Sequence, residues 1–161
     1  MSFGMIFSII LIIVFIAFAF YGIMKFLEFK KTVVVGQFYS DLSKDVNNAW
    51  IGTQYSKQVE YTLISEVQFV CLMDCEAEAG GIRLKYYGEL EKNCGVQLGK
   101  AKNIFLYPTI NDRTFTAHAM EHLDLKETLG ENPYCFPVKN SKIKLMIKKG
   151  IGDTLVTLER V

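Results

Sequence analysis

Five residues set the most specific chemical pattern in this chain: His118-Ala-Met-Glu121-His122. The spacing H-x-x-E-H matches the inverted zinc-peptidase signature. There, two histidines four apart on a helix hold the metal and the glutamate acts as base. His118, Glu121 and His122 are therefore weak candidate metal ligands. Two features argue against that chemistry. Only 39 residues follow His122, little room for the rest of a peptidase domain. The preceding Thr114-Phe115-Thr116-Ala117 is not a convincing helix start. On a strand, His118 and His122 would share a face about 13 Å apart, too far to chelate one ion. Two ordinary polar surface histidines are the preferred reading, and no cofactor is expected.

Cys71, Cys75, Cys94 and Cys135 form the second chemical group. Their spacing fits no common structural zinc pattern. Four cysteines outside the apolar opening permit two disulfides in an oxidising compartment, with three connectivities open. Cys71 lies in an apolar strand-like run. Cys94 and Cys135 lie in turn-like Asn-Cys-Gly and Pro-Tyr-Cys-Phe-Pro contexts. At least one disulfide is expected.

Other chemistries find little support. No Gly-rich phosphate loop is present, since Gly150-Ile-Gly152 reads as a turn, and no Ser and His constellation suggests a nucleophile. Asn140-Ser141-Lys142 fails the glycosylation pattern. Formal net charge is +1 and the pI is near 7.6, so no nucleic-acid partner is indicated. Five lysines between Lys139 and Lys149 read as the solvated edge of a strand that resists aggregation. The chain is expected to be non-enzymatic.

The elements that carry these residues begin with an apolar opening. Phe3 to Met24 holds 22 residues without charge or proline. At 1.5 Å per residue it spans roughly 33 Å, the thickness of a bilayer core. It is too long for the apolar core of a signal peptide and lacks a small-residue cleavage site at its end. All faces are apolar, as in a transmembrane helix. Lys25, Lys30 and Lys31 on its C-terminal flank would place the following domain in the cytoplasm by the positive-inside rule. The cysteines point to the outside.

Beyond Met24, apolar residues recur at Phe26, Phe29, Val33, Val34, Phe38, Leu42, Val46 and Trp50, mostly three or four apart. This predicts one face of an amphipathic helix. One continuous helix from about residue 2 to 51, roughly 75 Å long, is favoured over two helices joined near Val35-Gly36. Gly36 marks a flexible or close-packed point, and Gly52-Thr53 the stop. From Glu60 the period becomes 2. VEYTLIS, EVQFVCLMD and Ile104 to Tyr107 read as strands, residues 75–81 as a loop, and IRLKYYGEL as a strand or short helix. TFTAHAMEHLDL is ambiguous. Ile143, Leu145 and Ile147 alternate with lysines, turn at Gly150 to Asp153, and return over Leu155 to Val161 as a C-terminal hairpin.

The fold class is thus α+β, a long N-terminal helix packed on a small antiparallel sheet. Residues 1–25 form a transmembrane or filament-core helix, 26–52 its amphipathic continuation, and 53–161 a β-rich globular domain. Val34, Phe38, Leu42, Val46 and Trp50 are the expected helix-to-sheet contacts.

This pattern resembles the type IV pilin architecture, most closely the archaeal pilin-like surface proteins. Bacterial pilins carry Glu at the fifth position of the mature helix. Here that position is Met5, and archaeal pilins commonly lack the Glu. The resemblance implies a helix that first sits in the membrane and then packs as the core of a helical filament of identical subunits, through Phe3, Phe7, Ile10, Val14, Phe18 and Tyr21. It implies pilus assembly machinery as a partner, and a basic leader removed ahead of Met1, which would hold the N-terminus inside and reconcile the flanking lysines with an exported domain. A single-pass anchored β-domain acting as an accessory protein is the second reading. A membrane-bound metallopeptidase is the third.

Overall fold

The computed structural model describes residues 3–81, 84–110 and 116–161, without the side chains of Phe3 and Met5. One α-helix, α1, runs over Phe3–Ile51 without interruption at Gly36. The chain divides into two compact units, Met1–Val33 and Val34–Val161.

In the first unit the helix is apolar on every side up to Met24 and carries charges from Lys25 on, and its described large apolar residues are all exposed. Lys25 and Glu28 form an i, i+3 ion pair at 2.8 Å.

In the second unit the helix has one buried face. Val35, Phe38, Tyr39, Leu42, Val46 and Ala49 follow one another at steps that return to the same side. They pack into a core with Val59, Tyr61, Val70, Leu72, Phe136, Ile143, Leu145, Ile147 and Leu158. A Cβ at Gly36 would meet nothing within 4 Å, so this glycine is not a close-packed point. The Tyr61 hydroxyl donates to Asp45 at 2.6 Å, tying the helix to the first strand. Burial, and then this bond to a carboxylate, holds the Tyr61 hydroxyl well above the usual phenol range.

The sheet is antiparallel. β1 is Tyr55–Thr62, β2 Phe69–Leu72, and β3 (Val96–Gln97) with β4 (Lys100–Ala101) forms a separate small hairpin. β5 is Ile104–Tyr107, β6 Ala117–His118, β7 Tyr134–Lys139, β8 Lys142–Lys149 and β9 Thr157–Arg160. The main sheet runs β1-β8-β7-β2-β5-β6, and β9 also pairs with β8. The C-terminal hairpin forms with Ile147 opposite Leu158. Strand alternation drives the register: Ile143, Leu145 and Ile147 face the core, Lys142 and Lys144 do not.

Of the two readings of IRLKYYGEL, strand or short helix, the helix forms where described, as α2 over Leu84–Leu90, with Ile82 and Arg83 outside the described residues. Two expectations need correction. Cys135 lies in strand β7, not in a turn. The turn comes later, at Asn140-Ser141, whose φ values of 51° and 58° make the two-residue hairpin that matches strand twist. The lysines of β8 are not on an edge, because β1 pairs along one side of that strand and β7 and β9 along the other.

Candidate functional site

The H-x-x-E-H segment is not a helix. β6 ends at His118, the backbone of Ala119 and Met120 is held by two side chains, and Glu121 and His122 form a turn. Asn103 accepts from the Met120 amide and donates to its carbonyl, both at 2.8 Å. Gln97 accepts from the Ala119 amide at 3.0 Å. His122 adopts a positive φ of 63°, which a right-handed α-helix does not contain. The i, i+4 premise of the zinc signature therefore fails. Thr114 and Phe115 lie outside the described residues.

Each of the three side chains has another engagement. The His118 ring stacks on Tyr39 of α1, with centroids 4.7 Å apart. The His122 ring stacks on Trp50 at 3.7 Å and 10°. Glu121 forms an ion pair with Lys100, which holds its carboxyl below the usual range. Among the described residues, no three His, Cys, Asp or Glu side chains gather as a metal site.

Burial also pushes the His118 imidazole below its ordinary 6.5. The unfolded chain then binds a proton more readily than the folded one, so acid opposes folding. Stability is expected to hold above pH 6.5 and to fall as pH drops below it. Glu60 and Glu121, held low by Lys142 and Lys100, act in a separate window below about pH 4.5. The change His118→Phe keeps the ring stack and should flatten the slope that begins below pH 6.5. Thermal melts of the full chain at stepped pH test this, and an unchanged slope in the variant refutes it.

All four cysteines are paired. Cys71 joins Cys135 directly opposite it on the neighbouring strands β2 and β7, and Cys75 joins Cys94. The first bridge is fully buried beneath α2 with Met73, Leu90, Phe105 and Ala117. The second ties the loop after β2 to the segment following α2. That loop is also ordered by buried Asn132, whose amide donates to the carbonyls of Asp74, Ala77 and Glu78 and accepts from the Asp74 amide. No sequence signal marks Asn132, because its role depends on partners more than fifty residues away. Two disulfides fit an oxidising, extracellular environment.

Phe38, Leu42 and Val46 are buried in the core, and Val34 packs partly against it. Trp50 is 39% exposed and carries the His122 ring. Sequence spacing missed Tyr39 and Ala49: a tyrosine reads as half-polar, and alanine carries little hydrophobic signal. The end of α1 has a cap that spacing also conceals. The Lys149 ammonium donates to the carbonyls of Trp50 and Gly52, satisfying groups the helix leaves open.

The remaining candidate surface is the apolar helix of the first unit. Phe7, Ile10, Val14, Phe18 and Tyr21 are all more than half exposed, Phe18 at 71%. The Phe3 side chain lies outside the described residues. By length and composition the helix can cross a membrane. An all-round apolar helix is not sustained in water, since its whole circumference would be hydrated. It needs lipid or other apolar helices around it.

No protein-family model, no curated protein and no solved structure matches this chain. The architecture resembles that of pilin-like proteins. A long N-terminal helix is apolar in its first part, and its second part lies on an antiparallel sheet.

Proposed function

We propose that this chain is the structural subunit of an extracellular type IV pilus-like filament, closest in kind to archaeal pilin-like proteins. The observation that carries this reading is the division of labour along α1. From Val34 onward the helix has a single buried stripe and is part of a folded domain. Before that it exposes apolar side chains in every direction. Such a stretch suits two environments in turn, the bilayer before assembly and a bundle of identical helices after it. The gain between the two must come from helix packing and from assembly machinery, because lipid is as apolar as the side chains. Aromatic Phe7, Phe18 and Tyr21 among aliphatics supply large surfaces for that packing. The domain then faces outward, where its disulfides persist, and its role is structural rather than catalytic.

A photo-reactive benzoylphenylalanine at Phe18 in living cells tests this. The expected product is a ladder of dimers and higher multiples of this chain in the sheared surface fraction. Adducts confined to lipid in the membrane fraction would favour the second reading. In that reading the same helix is a single-pass anchor and the β-domain is an accessory protein. The charges that end the apolar run, Lys25, Glu28, Lys30 and Lys31, favour it, since exposed charges suit headgroups better than a packed bundle of apolar helices.

A further inference from the structure

The lysines of β7 and β8 have lost their simplest explanation. They protect no edge, because β8 is hydrogen-bonded on both sides. Lys139 stands directly opposite Lys142 in the β7–β8 register. Like charges at opposed positions of a sheet destabilise it. Lys144 adds a third ammonium on the same face, two residues from Lys142. One carboxylate answers them: Glu60 accepts from Lys142 at 2.7 Å and lies 3.6 Å from Lys144. Lys139 forms no ion pair with any described residue. The three lysines, Glu60, Asn140 and Arg160 line an open groove of about 490 Å³. Arg160 is already committed, to Glu131 at 2.6 Å, to the Cys135 carbonyl at 3.0 Å, and across the Tyr134 ring. The excess positive charge therefore sits on lysines.

We propose that this groove binds an acidic polysaccharide, a sugar chain bearing carboxylates. Lysine ammoniums are compact point charges that answer charge density rather than a planar group. Glu60 and the Asn140 amide can accept from and donate to sugar hydroxyls. A carboxylate lining the groove, Glu60 on β1, disfavours a nucleic acid, which presents a phosphate at every repeat. The groove also lacks a stacking platform for bases, since its aromatic residue, Phe136, is 1% exposed. This inference stands equally for a filament subunit and for an anchored domain.

The test uses the full chain in phosphatidylcholine nanodiscs, with hyaluronate oligosaccharide, neutral dextran and single-stranded oligothymidylate as probes. Hyaluronate is expected to bind, more weakly as NaCl rises, and dextran is not. The triple change K139Q/K142Q/K144Q should weaken hyaluronate binding at least about tenfold. The charge-preserving K139R/K142R/K144R should retain it. The control K44Q/K92Q/K126Q, with the same loss of charge elsewhere, should change it less than about twofold. Absence of hyaluronate binding by the unaltered chain, equal losses in the two glutamine variants, or tighter binding of oligothymidylate would each overturn the proposal.

Discussion

Leu42→Ala is expected to destabilise the folded domain by about 2–5 kcal/mol, the range for emptying a fully buried leucine site. Leu42 has no exposed surface and lies mid-stripe on α1, between Phe38 and Val46, within the core that the helix shares with β1, β8 and β9. The loss combines the transfer energy of the deleted atoms with the void they leave, because strands held in register cannot close on it. Neighbouring Ser43 is exposed on the same helix, and Ser43→Ala should alter stability by no more than about 0.5 kcal/mol. Urea unfolding of the full chain in micelles can be followed through Trp50, the only tryptophan, which sits stacked on His122. Equal effects of the two substitutions would mean that α1 is not an integral layer of the domain.

Breaking the disulfides is the second large effect. The Cys71–Cys135 bridge closes a separation of 64 residues, and Cys75–Cys94 one of 19. Chain entropy then assigns them about 4 and about 3 kcal/mol. The double substitution C71A/C135A should cost the more, for a second reason. Both sulfurs sit in a sealed cluster against Phe105 and Leu90, and their removal leaves a void there. A melting midpoint lower by on the order of 10 °C is expected. C75A/C94A should cost less and act mainly on the loop that Asn132 also holds. Thermal melts with and without reductant measure both. A smaller cost for the buried bridge than for the loop bridge would contradict this ordering.

How much of this was legible beforehand follows from the range of each interaction. The helix could be read because its signals are local and repeated. Phe3 to Met24 is apolar throughout, and Phe38, Leu42 and Val46 recur at helical spacing. The C-terminal hairpin was legible for the same reason, through the alternation of Ile143, Leu145 and Ile147 with lysines. Strand β7 was hidden, because Pro133 and Pro137 bracket Cys135 and imitate a turn. Pro137 is nonetheless tolerated in the strand, opposite Phe69. The two disulfide partners were legible as cysteines but not as pairs, since the pairing of Cys71 with Cys135 follows from β2 lying beside β7. The H-x-x-E-H spacing misled for a physical reason. Asn103 and Gln97, distant in sequence, hold the backbone of Ala119 and Met120 where a helix would be needed. The aromatic partners of His118 and His122 come from α1, more than seventy residues earlier, and no local pattern announces them.

The first half of α1 was the most legible segment and carries the main functional weight. Its exposure on all sides in the single chain poses one physical question: what covers it. Electron microscopy of filaments sheared from the cell surface, with peptide mass spectrometry of the same fraction, answers it most directly. Regular filaments whose dominant peptides belong to this chain, with Phe7 to Tyr21 in a helical core, are the predicted result. A chain that stays with the membrane, and is absent from every filament, would contradict the account and leave the opening helix as an anchor alone.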